Sequence, residues 1–396
     1  MTGSVIFSRQ RALLRIAYWA FKPFAVFTRR ITWVVGPEDI AHMTTHIAAA
    51  IPGSYSALHA RNPFYGDARY DCVIQTGSRA LGGRWAIWRR LYGGPIALAW
   101  LLNRARGFIY VGGGAYLESW HDEREFEFSF IRDHGRRLVC YFTGSDIRSP
   151  KLSAARAAAT GKPNLGTMVV KLDPSFGEHA YDDARRLRAE VADRYADLVF
   201  NAREDQLSYL ESDTEPFLYF YPDRHFVGPS GKFDSPMRLK VVHAPSSPVL
   251  KGTDVVRDVM SRITAEHPNV DYVELINMPN SEVLRELDSA HIALNEYYAS
   301  MPGVFSIEAM ARRCVVVTSA SVDDEPDLGE EARGAWVVAD VDTLYDEVMQ
   351  LVTHPADLSA QADRGWTWAK TYASATASNE KLRAALARVD RPRGGR

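Results

Sequence analysis

The sequence predicts an α/β protein of two domains, each built on a parallel sheet. Three observations lead there. Short apolar runs of strand length alternate with longer segments of helical period. The alternation continues on both sides of a polar Pro/Gly/Ser-rich stretch, Pro222 to Pro236, which reads as a linker. And 396 residues are enough for two ordinary hydrophobic cores.

In chain order, a basic segment over residues 1–30 comes first, followed by an N-terminal domain over 31–222. Its strands are expected at Ile31–Gly36, Tyr55–His59, Tyr70–Thr76, Gly107–Gly112, Arg137–Thr143, Ala196–Ala202 and Phe217–Tyr221. Helical patterns fill gaps around 38–50, 84–103, 120–134 and 178–194. After the linker, 223–236, a C-terminal domain over 237–372 places strands near 239–244, 270–276, 291–296, 314–318 and 334–339. The last segment, 373–396, holds a helix from about Ala375 to Val389 and an Arg/Gly-rich end expected to fray.

Charge is uneven. The net charge is −2, yet residues 1–117 hold fourteen Lys/Arg against four Asp/Glu, and residues 1–30 carry six positive charges and no acid. Placed on a helix over 9–21, Arg11 and Arg15 share one side with Tyr18 near them. Leu13, Ile16, Ala17, Ala20 and Phe21 take the other side, and Pro23 ends the helix. Such a helix, with Trp19 and Phe21, suits the surface of an anionic membrane. The alternative is a helix docked on its own domain with its arginines in solvent. A second basic and aromatic stretch comprises Arg84, Trp85, Trp88, Arg89, Arg90, Trp100, Arg104 and Arg106. No apolar run approaches eighteen residues, and Arg15 and Lys22 interrupt the N-terminal apolar stretch, so neither a spanning helix nor a signal peptide is expected. Cys72, Cys140 and Cys314 lie in separate apolar runs without CxxC spacing, as free thiols of a cytoplasmic protein would. No nucleic-acid module is visible.

The segment richest in chemistry is 300–319. A Pro302-Gly303 turn leads into a short helical pattern carrying Glu308, and Cys314 to Val317 reads as a buried parallel strand. Glycine at a helix start lets a ligand approach free backbone N–H groups, where the helix dipole favours an anion. Glu308, about one turn in, is placed to accept hydrogen bonds from sugar hydroxyls. The alternative is an ordinary crossover with a solvated Glu. Residues 239–254 read as a strand, a Ser/Pro loop and a helix start, with Lys251 at or near that helix N-terminus. A cation there opposes the macrodipole unless an anion lies between them.

These segments resemble the retaining glycosyltransferases of family 4, which have the GT-B fold. The resemblance implies two Rossmann-like domains facing a central cleft, with the last helix, Ala375 to Val389, returning to the first domain. Lys251-Gly252 matches the family's Lys-Gly pair, whose lysine contacts the donor diphosphate. Gly303, Glu308, Ala309, Met310, Ala311 and Val315 to Val317 match its Glu, seven residues, Glu signature and the helix and strand beyond; its second Glu, here Glu308, holds the nucleotide ribose. The first Glu falls at Ser300, so the acid that usually touches the sugar is missing. Gly144, Ser145, Asp146 and Arg148 match the family's His-Gly-Ser-Asp strand end, with Thr143 replacing the histidine. The resemblance implies catalytic roles for Lys251 and Glu308, and donor contacts from Ser246, Ser247, Gly252, Met278, Ser300, Gly303 and Val304. It also implies an acceptor cleft at Thr143, Gly144, Ser145, Asp146 and Arg148; Gly112, Gly113 and Gly114 are read as facing a cleft too, with tight turn packing as the alternative. The expected partners are a nucleotide-diphosphate sugar as co-substrate and a glycan, lipid-linked or other hydroxyl acceptor. An anionic membrane surface is a further candidate partner, making the protein cytoplasmic or peripheral on the inner face of the membrane.

Other signals carry less. Gly112-Gly113-Gly114 follows a strand, but Leu117 stands where a dinucleotide fingerprint needs its third glycine. Asp340-Val341-Asp342 is read as helix capping rather than metal binding. The histidines lack zinc-type spacing, and no metal is expected, because a lysine and helix N–H groups can stabilise a departing diphosphate. A non-catalytic sugar-nucleotide-binding or scaffold protein of the same fold is the alternative, with Ser300 and Thr143 as its support.

Overall fold

The computed structural model describes residues 3–28, 30–61, 69–75, 84–228, 231–234 and 238–390. Two all-parallel sheets organise them. The first has seven strands: β1 (Ile31–Pro37), β2 (Tyr55–Ala60), β3 (Cys72–Gln75), β4 (Ala105–Val111), β5 (Arg137–Tyr141), β6 (Leu198–Asn201) and β7 (Glu215–Pro216). Their spatial order is β3-β2-β1-β4-β5-β6-β7. The second has β8 (Leu239–His243), β9 (Val270–Glu274), β10 (Ile292–Leu294), β11 (Val315–Thr318) and β12 (Val337–Val338), in the order β12-β11-β10-β8-β9.

Helices cover both faces of each sheet, which is why the central strands are apolar on both sides. Phe108, Tyr110, Leu138 and Cys140 enter one core, while Ile109, Val111, Val139 and Tyr141 enter the opposite one. Val242, Ala293 and Val316 face one side of the second sheet; Val241, Ile292, Leu294, Val315 and Val317 face the other. The order reverses between β1 and β4 in the first sheet and between β8 and β10 in the second. At such a reversal the connections leave in opposite directions and open a crevice at the strands' C-terminal ends. That rule fixes where ligands are to be sought.

Three expectations need correction. Phe217–Tyr221 is not a strand: β7 is Glu215–Pro216, and Phe220 has a left-handed backbone at φ 54°. The aromatic run is buried because it packs between elements, with Tyr221 bridging Ser374. The 9–21 helix runs from Gly3 to Phe21, and its faces differ from the expected ones. Phe7, Leu14, Ala17 and Tyr18 join the core of the first sheet, with Gln10 buried beside them. Gln10 Nε2 donates to the Leu91 carbonyl at 2.6 Å, pinning this helix to the helix Arg84–Leu102. Ile16 therefore points outward, 69% exposed, together with Trp19. Lys251 stands near the N-terminus of the helix Thr253–Glu266, as expected, two residues before it, and also closes a four-residue helix, Pro248–Lys251. Two helices, Pro150–Thr160 and Leu165–Leu172, were not anticipated. The first has ordinary signals: Ser149 caps it by accepting the Leu152 N–H, Pro150 opens it, and Gly161 ends it at φ 70°.

The helix Ala375–Asp390 crosses back to the first sheet. Leu382, Ala385, Leu386 and Val389 join Trp33, Val35 and Ile47 in one core cluster, and Arg383 Nε donates to the Ala50 carbonyl at 2.7 Å. Expectations touching Thr76, the linker residues 229–230 and 235–237, and the Arg/Gly-rich end from 391 lie outside the described residues, as do those for the side chains of Arg84, Trp85 and Arg90. Among the described residues, no helix is long and apolar enough to cross a membrane.

Candidate functional site

At the switch point of the second sheet, the β8 exit carries Lys251 and the β10 exit carries Glu296. Lys251 Nζ lies 2.5 Å from Glu296 Oε2, with the side chains 19% and 7% exposed. Glu296 is held rigidly: Thr318 Oγ1 and Ser319 Oγ both donate to its carbonyl, at 2.9 and 3.2 Å. Its neighbour Asn295 donates from Nδ2 to the Pro302 carbonyl at 2.7 Å and to Ser306 Oγ at 2.9 Å, shaping the turn before the helix Gly303–Ala311. Gly303 sits at φ 69°, and a Cβ there would fall 2.3 Å from Glu296 Oε1. Only glycine fits that close approach. The Gly303 N–H donates to the Tyr219 hydroxyl at 3.2 Å.

Glu308 is buried one turn and a half further along this helix. Its Oε1 accepts a hydrogen bond from Asn280 Nδ2 at 2.9 Å. Burial raises its pKa, opposed by the Asn280 hydrogen bond and the Arg312 charge. Met278 and Val304 stand exposed near these ends, and Ser246 is exposed in the β8 exit loop. Ser247 accepts the Lys251 N–H at its carbonyl, and Gly252 takes φ 72° against Tyr297.

The switch point of the first sheet is lined by charged groups. Gly112, Gly113 and Gly114 follow β4. A Cβ on Gly114 would meet the Glu38 carboxyl carbon at 2.5 Å, and one on Gly113 would meet Arg188 Nη1 at 2.2 Å. Glu38, at the end of β1, accepts the Gly114 N–H at 3.0 Å. Its pKa is raised by burial and then by the Asp146 charge. Asp146 Oδ2 accepts both the Thr143 N–H (2.7 Å) and the Thr143 hydroxyl (3.0 Å), and burial raises its pKa as well. Arg188 donates to the Asp146 carbonyl and pairs with Glu123 at 2.6 Å. Gly144 turns at φ 48° and accepts Gln206 Nε2. Arg148 does not face an open site: it is 3% exposed, its Nη1 donates to Ser145 Oγ, and its Nη2 and Nε bond Asp205.

Asp205 joins the two crevices. Besides holding Arg148, its Oδ1 accepts the Ser300 N–H at 2.8 Å. Glu325 strengthens the junction: its Oε2 accepts the N–H groups of Glu204 and Asp205, both at 2.9 Å. This carboxyl is wholly buried, its second oxygen has no partner among the described residues, and burial pushes its pKa up to about 7. The helix Leu165–Leu172 also touches Pro248–Lys251, so Lys251 lies where the two halves meet. Asp340 behaves as expected of a helix-start aspartate, with Oδ1 accepting the N–H groups of Asp342 and Thr343. Among the described residues, no three His, Cys, Asp or Glu side chains converge as a metal site requires.

Among the solved structures similar to this one are the following three. Sucrose-phosphate synthase from Thermosynechococcus elongatus superposes with a TM-score of 0.59 at 11% identity, over 91% of this chain and 99% of that one. HepE from Anabaena, in complex with UDP-glucose, gives 0.57 at 10% identity, over 91% and 100%. The fold is GT-B. An alpha-glucosyltransferase in complex with UDP-glucose and DNA containing an abasic site shares it, with 0.54 at 10% identity over 90% and 99%. No family model matches the sequence, and no curated protein matches it in sequence.

Sequence reasoning missed Glu296, Asn280, Glu38, Asp205, Arg188 and Glu325. Glu38 and Glu296 follow the two strands that border the switch points, and strand order would have singled them out. The others are found only through partners distant in sequence.

Proposed function

We propose that the chain is a glycosyltransferase that moves a sugar from a nucleotide diphosphate to a hydroxyl acceptor with retention of configuration. The carrying observation is Lys251 beside the Gly303 helix start, at the switch point of a GT-B fold. In this reading Lys251 and the helix N–H groups hold the diphosphate, and Glu308 receives the ribose hydroxyls. The acceptor enters at Gly112–Gly114 and Thr143–Asp146. The acceptor oxygen bonds the sugar's anomeric carbon as the bond to the diphosphate oxygen breaks on the same face. The departing phosphate oxygen takes the acceptor proton, so Thr143 in place of a histidine is no obstacle. That two neighbours of this fold were captured with UDP-glucose supports a nucleotide-sugar donor.

A panel of nucleotide sugars tests this: one member should raise the melting temperature, and that member should be consumed when acceptor is supplied. Stabilisation without turnover would favour the second reading, a non-catalytic sugar-nucleotide binder. Ser300, carrying no carboxylate where the donor-sugar acid is expected, is the observation on its side.

A lipid-linked acceptor at an anionic membrane fits the N-terminal segment. Ile16, Trp19, Phe24 and Phe27 are exposed by 69, 63, 61 and 88%, beside the exposed Arg15 and Lys22 of the same segment. Apolar residues that enter the headgroup boundary, flanked by cations, are what peripheral attachment uses. Co-sedimentation should require anionic vesicles, weaken with salt, and drop on Trp19→Ala with Phe27→Ala. Equal recovery in the supernatant with neutral and anionic vesicles at low salt would reject it.

A further inference from the structure

We propose that Glu296 is the donor-sugar acid of this protein, kept in reserve by Lys251 until a sugar nucleotide arrives. The inference rests on the donor reading above and adds a residue and an exchange to it. Glu296 is a buried carboxylate whose only hydrogen-bond donor to the carboxyl oxygens, among the described residues, is Lys251 Nζ. Its other oxygen, Oε1, lies against Gly303 Cα, at the mouth of the helix assigned to the diphosphate. Lys251 cannot serve a diphosphate at full strength while it neutralises Glu296. When the diphosphate takes Lys251, Glu296 is left as a buried anion beside a second anion. That arrangement is unfavourable unless new hydrogen-bond donors replace the ammonium.

The ribose hydroxyls of a bare nucleoside diphosphate are taken by Glu308 in the donor reading, which leaves that ligand no hydroxyl for Glu296. The hydroxyl groups of a sugar attached to the diphosphate supply such donors. Ser300 offers no carboxylate in this loop, and its backbone is already tied to Asp205. Glu296, four residues earlier and fixed by Thr318 and Ser319, is the acid that faces the same turn. The pair thus makes the site selective: the cost of freeing Glu296 is recovered only by a ligand that carries a sugar. Glu296 acts by touching the donor, and the neutral amide of Glu296→Gln removes the penalty while keeping the shape.

Calorimetric titration of UDP and UDP-glucose, or the equivalent pair for whichever base the panel selects, tests this in the wild type, Glu296→Gln and Glu296→Asp. The wild type should bind the sugar nucleotide more tightly than the diphosphate. Glu296→Gln should bind the diphosphate roughly tenfold more tightly than the wild type, as expected when one charge-assisted contact at Lys251 is released. Its preference for the sugar nucleotide should collapse toward unity, and Glu296→Asp should restore part of it. An unchanged preference in Glu296→Gln that melts like the wild type overturns this role for Glu296 and leaves the donor reading standing. Failure of the wild type to bind any diphosphate or sugar nucleotide in the panel overturns both.

Discussion

Two cations stand near the cleft, Arg148 buried and Lys251 half-buried, and they are wired differently. Arg148, from the first half, is held by Asp205 through two groups and by Ser145 through a third. Lys251, from the second half, has a single ion pair among the described residues, to Glu296. A planar guanidinium with its fork filled is a structural fastening; a flexible ammonium with one partner can change partners. The resemblance had assigned both to ligands. The difference teaches that a motif match locates a charge, while the number and rigidity of its existing partners decide whether a ligand can claim it.

The sharpest way to break that contrast is Arg148→Met. It leaves Asp205, 10% exposed, without its cation, and should cost about 3 kcal/mol of stability in chemical denaturation. A stability loss under about 1 kcal/mol would show the fastening to be ornamental. The next effect is set by pH. Glu325 binds its proton with a pKa of about 7 instead of the ordinary 4.5. Between those values the folded protein holds more protons than the unfolded chain. This contribution to stability is therefore complete below about pH 4.5 and is lost as pH rises through about 7, on the order of 3 kcal/mol in all. Glu325→Gln should flatten that slope in melting curves taken from pH 5 to 8; an identical slope would remove Glu325 as its source.

Lys251→Ala leaves the Glu296 carboxylate without its ammonium, so it should lower stability while the fold persists; it should also weaken nucleotide-diphosphate binding by about 1.5–3 kcal/mol, tenfold or more, and abolish turnover. Unchanged affinity and rate would return Lys251 to the structural class of Arg148. The smallest expected effect is at Glu308. Glu308→Gln should weaken nucleotide binding by about 1 kcal/mol, and much less for a 2′,3′-dideoxy nucleotide. Equal losses for both ligands would mean that the Asn280 contact, and not a ribose, is what Glu308 serves.

What the sequence made legible was local. The Pro302-Gly303 turn, the helix after it and the apolar run Val315–Val317 are contiguous, and periodicity with glycine chemistry is enough to read them. The two parallel sheets follow from the same strand and helix alternation. The partners were not legible, because they come from far along the chain: Glu296 meets Lys251 across 45 positions, Ser300 meets Asp205 across 95, and Glu325 meets Glu204 across 121. Phe217–Tyr221 failed for a related reason. An aromatic, apolar run signals burial, and only its surroundings decide whether the burial is in a sheet. The outward turn of Ile16 was equally invisible, since the docking face of the first helix is chosen by Gln10 and the helix Arg84–Leu102.

The crossing at Tyr221 has a mechanical meaning. The backbone of Tyr221 receives the Ala375 N–H at 2.7 Å and gives its own N–H to Ala373 at 2.8 Å, while Lys370 grips Asp223 at 2.6 Å. The polypeptide thus passes between the halves twice at one place, outbound and inbound, and the two passes are stitched to each other. A single tether would let one half swivel, twist and slide against the other. Two stitched tethers act like a pintle: sliding and twisting are resisted, and the remaining freedom is a swing about one line. The bonds of the Glu325 carboxyl to two amides and of Ser300 to Asp205 then hold the two halves in one register.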